Sequence, residues 1–215
     1  MSSIAIIDYG MGNLHSAAKA VARAVEDTKV FITNKPEEIL SADRVVFPGV
    51  GAIRDCMSGL QECELIEVID QASKEKPFLA ICVGMQALME RSEENNGVEC
   101  LGMFRGEVKQ FSADMRDDVH DEKLKVPHMG WNQVNQTVGH PLWVDIPDRS
   151  RFYFVHSFYI DALQNEVIAG TTDYGVQFTA AIAKENVFAV QFHPEKSHKA
   201  GLQLLSNFAH WNGEF

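Results

Sequence analysis

The chain has 215 residues, 46% hydrophobic and 23% charged, with a formal net charge of −11 at pH 7. That size suits one domain or two tightly joined halves, and it buries enough surface to hold a core without disulfide or metal staples. The acidic balance argues against a general nucleic-acid or anionic-membrane binder, because phosphate contacts need Lys or Arg, and no apolar run approaches the roughly 20 residues of a membrane span.

The first residues, MSSIAIIDYG, lack the charged start and cleavage site of a signal peptide, so a cytoplasmic location is expected. Ile4-Ala5-Ile6-Ile7 reads instead as a strand buried on both faces. Asn13 can cap a helix whose apolar positions include Leu14, Ala17, Ala18, Val21 and Val25. Val30-Phe31-Ile32 predicts a second strand, and Pro36 opens a short helical turn ending near Leu40. Val45-Val46-Phe47 is a third strand, stopped by Pro48-Gly49. Residues 52–73 read as helix in two pieces, and Phe78–Ile81 as a fourth strand. Strand and helix alternating at these lengths predict an α/β sheet with right-handed crossovers.

The second half is strand-rich. Strands are predicted at Phe104–Phe111, Gly130–Val134, Phe152–Ile160, Glu166–Thr172, Val176–Ala183 and Val187–Phe192, before a final helix from about Ser197 to Trp211. The acidic stretch Asp114–Glu122 reads as a solvated loop. No linker rich in Gly, Ser or Pro separates the halves, so residues 1–215 are expected to form a single domain. The fold class is α/β: an open, mostly parallel central sheet flanked by helices, with additional antiparallel strands in the second half.

Four cysteines, Cys56, Cys63, Cys82 and Cys100, show neither a CxxC pair nor a zinc pattern, and are expected to be reduced. Cys82 differs in context. The apolar strand Phe78–Ile81 runs into Cys82, Gly84 follows two residues later, and a helical run begins, which is the pattern of a nucleophile elbow with Cys in place of Ser. Ala80 and Gly84 supply the small neighbours such a turn demands. A helix N-terminus beneath the sulfur would favour a thiolate, and the Val83 amide would face a developing oxyanion. A buried cysteine at a strand end is the plain structural alternative.

A thiolate needs a base. Val187–Phe192 delivers His193 at the end of an apolar strand, and Glu195, two residues on, would project to the same side in an extended segment. A histidine capping the last helix is the simpler reading of that pair. Phe47-Pro48-Gly49-Val50-Gly51 breaks a strand into a glycine-flanked turn able to aim amides inward, although glycine is ordinary in a βα turn. Together the three features fall at strand C-termini, where open α/β sheets place their sites. They supply nucleophile, base, orienting acid and oxyanion donors for acyl transfer through a thioester.

At these residues the sequence resembles the class I, triad-type glutamine amidotransferases, and within them the glutaminase subunits of imidazole glycerol phosphate synthases. The resemblance runs from Ile7-Asp8-Tyr9-Gly10-Met11-Gly12-Asn13-Leu14 to Gln191-Phe192-His193-Pro194-Glu195-Lys196-Ser197. Between them lie Pro48-Gly49-Val50-Gly51, Cys82-Val83-Gly84-Met85-Gln86, Pro127-His128-Met129-Gly130-Trp131-Asn132 and Phe154-Val155-His156-Ser157-Phe158-Tyr159. The resemblance implies Cys82 as nucleophile, His193 as general base and acid, and Glu195 as its orienting partner. It implies an oxyanion hole from Gly49, Val50, Gly51 and Val83, and glutamine contacts from Gln86, Glu94, Ser157 and Phe158. Asn13, Pro127, His128, Gly130, Trp131, Asn132 and Lys196 match surfaces that meet a (βα)8-barrel cyclase partner in a heterodimer. No cofactor and no metal are implied. The family elbow usually reads Gly-Ile-Cys-Leu-Gly, so Ala80 and Val83 depart from it without removing a catalytic atom. A cyclase barrel takes about 250 residues, so it is expected on a separate chain. Two other readings stay open: an amidotransferase serving another pathway or acceptor, and a regulatory module that keeps the fold but not the reaction.

Overall fold

The computed structural model describes residues 2–12, 14–25, 27–116 and 121–214. Asn13, expected as helix cap and partner contact, and residues 117–120 of the acidic stretch lie outside the described residues. The flanking positions 114–116 and 121–122 are mostly exposed, and Arg116 pairs with Asp121 across them at 3.2 Å.

The first half alternates as its periodicity predicts. β1 (Ser2–Ile7) leads to α1 (Leu14–Ala24), β2 (Thr28–Thr33), α2 (Pro36–Ser41) and β3 (Arg44–Gly49). Next come α3 (Ile53–Glu62), α4 (Ile66–Glu75), β4 (Phe78–Cys82) and the short α5 (Val83–Ala87). The helical stretch breaks between α3 and α4 where Glu64 takes a positive φ of 57°. α1 buries Ala17 and Val21 one turn apart, the stripe of a helix lying on a sheet. β4 is buried at all five positions, as a central strand covered on both faces must be.

The second half adds β5 (Arg91–Ser92), β6 (Val98–Glu99), β7 (Gly106–Gln110), β8 (His128–Gln133), β9 (Asn135–Gln136) and β10 (Arg151–His156). β11 (Phe158–Ala162), β12 (Ile168–Asp173), β13 (Gln177–Lys184), β14 (Val187–Val190) and α6 (His198–His210) complete it. Strands β2, β1, β3, β4 and β14 lie side by side in that order and all run parallel. β13, β11 and β7 continue the sheet antiparallel from β14, and β12 pairs with β13. The register sets Gly49 of β3 beside Cys82 of β4, and Ile81 beside Val190 of β14. Three parallel strands therefore end together, and their ends carry the candidate chemistry.

One expected strand is two. Phe152–Ile160 divides at Ser157: β10 pairs only with β8 in a small separate sheet, while β11 enters the main sheet between β13 and β7. Phe152, Phe154, His156 and Ile160 are all buried, so the two-residue alternation runs through the break without a mark. Tertiary pairing makes the division, with the Ser157 carbonyl accepting from the Phe111 amide at 3.1 Å.

Candidate active site

Cys82 ends β4 and passes straight into α5. Its backbone lies at φ 55°, ψ −113°, a conformation that a non-glycine residue holds only when its surroundings impose it. Close packing imposes it here. A Cβ on Gly84 would strike the Phe47 carbonyl oxygen, and one on Gly49 would strike the Gly84 amide. The two glycines thus let β3 and the elbow touch backbone to backbone; for Gly49 the requirement is space and not a positive φ. α5 has only five residues, so its dipole gives limited support to a thiolate.

The stronger support is His193, which lines the same cavity as Cys82 and interacts with its sulfur electrostatically. Both residues are almost wholly buried. His193 Nδ1 lies 2.7 Å from Glu195 Oε1, so Nε2 is the nitrogen left for the sulfur. The Pro194–Lys196 3₁₀ turn brings Glu195 back to the ring, where the sequence suggests extended alternation; the pairing is as expected but its cause is a turn. The loop is clamped to β10: the His193 amide donates to the Tyr153 carbonyl at 2.9 Å, and Ser197 Oγ donates to the His193 carbonyl at 2.6 Å. Burial alone would lower the His193 pKa, but a Cys82 thiolate and then Glu195 outweigh it and push it up to about 10. By contrast, burial pushes the Cys56 and Cys100 thiols up to about 12, leaving them poor nucleophiles.

A cavity of about 380 Å³ opens above the sulfur, with Val50, Gly51, Val83, Gln86, Glu94, Ser157, Phe158 and Lys196 among its lining residues. The structure thus assembles nearly all the expected oxyanion and substrate positions around one space. Glu94 has a second task there, since its Oε2 accepts from the Ile53 amide at 2.9 Å and holds the start of α3. Gln86 Nε2 donates to the Phe158 carbonyl at 3.0 Å and to Gln191 Oε1 at 2.9 Å. Sequence reasoning misses two neighbours, Tyr9 and Gln191. The Tyr9 hydroxyl donates to the Pro48 carbonyl at 2.9 Å and anchors the base of the Gly49–Gly51 turn. The one sequence signal for Gln191 is an amide set inside the apolar run Val187–Phe192.

The expected partner positions divide. Met129 is 61% and Trp131 42% exposed, and Pro127 and Lys196 are exposed beside them. His128 does not share that surface: it is buried, with its ring in a chain of hydrogen bonds. His156 Nδ1 lies 2.7 Å from the Phe158 carbonyl, His156 Nε2 lies 3.0 Å from His128 Nδ1, and His128 Nε2 lies 3.3 Å from Asn132 Nδ2. The carbonyl end fixes the tautomers, because His156 must donate from Nδ1 and so accepts from His128. Both rings are therefore neutral braces behind the segment.

Burial lowers His128 to about 4, His140 to about 4 and His156 to about 3. The unfolded chain protonates histidine near pH 6.5, so above that pH these groups add no slope to stability. As pH falls from about 6.5 toward 4 the unfolded state takes up protons that the folded state refuses. Stability should then drop by up to about 1.4 kcal/mol per pH unit for each histidine. His193, raised rather than lowered, acts between about pH 6.5 and 10, where the folded state keeps a proton the unfolded state has lost and stability falls as pH rises. Urea midpoints measured at several pH values between neutrality and 4 check this; a flat series would contradict the neutral braces.

A family model described as glutamine amidotransferase class-I matches residues 5–211. Imidazole glycerol phosphate synthase subunit HisH of Pseudomonas syringae pv. syringae (strain B728a) is 58% identical over 215 residues, covering all of both chains. The chain belongs to the class I glutamine amidotransferases, in the family of these HisH subunits. The protein of the same name from Acinetobacter baylyi is 59% identical over 213 residues, covering 99% of this chain and 100% of that one. Among solved structures, PurLQS from Thermotoga maritima gives a TM-score of 0.71 at 15% identity, covering 97% of this chain and 98% of that chain. A putative GMP synthase component from Thermoplasma acidophilum gives 0.70 at 21%, covering 98% and 93%. At such identities these likenesses bear on the fold alone. The enzyme is therefore a glutamine amidotransferase, and the departures at Ala80 and Val83 lie within its elbow. Ala80 sits fully buried beside Phe47 and Ala189, where a methyl is accommodated.

Proposed function

We propose that this chain is the glutaminase subunit of a cytoplasmic imidazole glycerol phosphate synthase, one domain over its whole length, feeding ammonia to a (βα)8-barrel cyclase in histidine biosynthesis. The observation that carries the chemistry is the buried line of Cys82, His193 and Glu195 beneath the cavity. The Cys82 thiolate attacks the side-chain amide carbon of L-glutamine. The amide oxygen becomes an oxyanion held by the Val83 amide and by the Gly49–Gly51 turn. His193, protonated and oriented by Glu195, gives its Nε2 proton to the departing nitrogen, so ammonia leaves and a γ-glutamyl thioester remains. Neutral His193 then takes a proton from water, whose oxygen attacks the thioester. Glutamate leaves, and the thiolate and imidazolium are restored. Gln86 has both amide hydrogens committed to Phe158 and Gln191, so it offers substrate only an acceptor, suited to an ammonium group. Glu94, Ser157 and Phe158 complete the glutamine contacts.

Ammonia released to water at neutral pH becomes ammonium and loses its nucleophilic lone pair, so the product needs a closed path to its acceptor. The surface supporting a docked partner surrounds the cavity. Trp131 stacks on His198 at 5.0 Å, with Met129 exposed nearby. Beside them a basic groove carries Lys19, Arg23, Lys196, His198 and Lys199, and Lys196 lines both groove and cavity. An acidic chain that gathers cations at this place fits a partner with an acidic rim. Since free glutamine hydrolysis is wasteful, partner docking is proposed to set the Gly49–Gly51 turn. The test is glutamate release by the purified chain titrated with cyclase. Release should be slow alone and strongly accelerated by the partner, and Trp131→Ala should raise the half-saturating partner concentration by about 30-fold. Full activity without partner would count against the gating.

A further inference from the structure

The geometry points to Gln191 as a positioning residue that holds the Cys82 sulfur through its side-chain amide. Gln191 is fully buried, and its Nε2 donates to Cys82 Sγ at 3.8 Å, while its Oε1 accepts from Gln86 Nε2 at 2.9 Å. Its backbone amide is fixed by the Ala180 carbonyl at 2.9 Å. A primary amide in an otherwise apolar stretch is costly unless both ends are satisfied. Here one end is satisfied by the nucleophile itself. The sulfur thus accepts from the Gln191 amide and interacts electrostatically with the His193 imidazole, while the backbone is held by the elbow. A directional amide donor limits the freedom of the side chain to rotate away from the line of attack and steadies the sulfur whenever it carries negative charge. As the sulfur becomes a neutral thioester this bond weakens, so its contribution is to presenting the thiolate before attack.

The same amide braces Gln86, which makes two roles separable. A donor to sulfur governs the chemical step, so its loss lowers kcat. A brace for Gln86 governs glutamine binding, so its loss raises KM.

This inference rests on Cys82 as the nucleophile, a premise tested separately by Cys82→Ala. The experiment uses the complex with its cyclase partner and the variants Gln191→Met, which keeps volume without a donor, and Gln191→Glu. The glutamate keeps an acceptor for Gln86 but turns a carboxyl oxygen toward the sulfur at mildly alkaline pH. Both should lower kcat for glutamine hydrolysis by about 10- to 100-fold, the size expected for one hydrogen bond to a charged group; KM should change by less than about threefold in Gln191→Glu and rise in Gln191→Met, which also loses the acceptor for Gln86. Alkylation of Cys82 by iodoacetamide should slow in parallel, and ammonia-dependent product formation should stay at the wild-type rate. Should the methionine variant fail to fold, the glutamate variant carries the same reading. A raised KM with unchanged kcat, or wild-type alkylation and turnover in a folded variant, would overturn the assignment while leaving Cys82 as nucleophile untouched.

Discussion

Replacing Cys82 with alanine should abolish glutamine-dependent product formation by the complex, by about 10⁴-fold or more, and leave ammonia-dependent formation intact. The asymmetry follows from the division of labour. Thioester chemistry needs a sulfur at the end of β4, whereas added ammonia enters at the acceptor's own site. Since the elbow is shaped by backbone packing and not by the thiol, alanine at position 82 should leave the fold in place. Cys56 and Cys100 cannot substitute. Cys56 is buried in the core, and burial holds the Cys56 and Cys100 thiols protonated at neutral pH. Glutamate release measured beside the ammonia-dependent rate checks both halves. Glutamine-dependent turnover surviving in the variant would exclude the thioester.

The second large effect is expected from one methyl group. Gly84→Ala should cost about 3 kcal/mol of stability and about 100-fold or more in kcat. A Cβ there would overlap the Phe47 carbonyl oxygen, and the Phe47 Cδ1 and carbonyl carbon already stand at 3.4 and 3.2 Å from its position. Neither backbone segment can yield freely, because Phe47 lies within β3 paired beside Ala80 of β4 and Gly84 lies in α5, two residues after the Cys82 that carries the sulfur. Relief of the overlap must therefore shift the elbow relative to the Gly49–Gly51 turn, the pair proposed to form the oxyanion site. Thermal or urea denaturation reads the first loss and glutamate release the second. A variant as stable and active as the parent would show that the two segments are not locked together.

These effects also mark what the chain discloses before it is folded. The elbow is legible because three local demands coincide: apolar residues for a strand buried on both faces, a nucleophile, and small neighbours at the turn. β1, β3 and β4 are legible for the same reason, since β1 and β3 are buried along most of their length and β4 throughout, with residues of high strand propensity. The His193–Glu195 pair is legible as a spacing, yet its geometry comes from a 3₁₀ turn and a clamp on Tyr153 that only the folded chain contains. The break at Ser157 is silent because its alternation continues and only cross-strand partners change. His128 illustrates the opposite failure. It lies in a segment resembling a partner surface, but strand alternation turns it inward, between exposed Pro127 and Met129, onto His156. Tyr9 and Gln191 act through partners about 40 and 110 positions away, and no local pattern announces such contacts.

The proposed chemistry turns on a γ-glutamyl thioester at Cys82. Complex turning over glutamine can be quenched in acid, digested and mapped by mass spectrometry. One γ-glutamyl group is expected on the peptide carrying Cys82, absent when glutamine is withheld and absent in Cys82→Ala. A γ-glutamyl group on the peptides of Cys56, Cys63 or Cys100, or steady glutamate release with no adduct captured at any quench time, would contradict it.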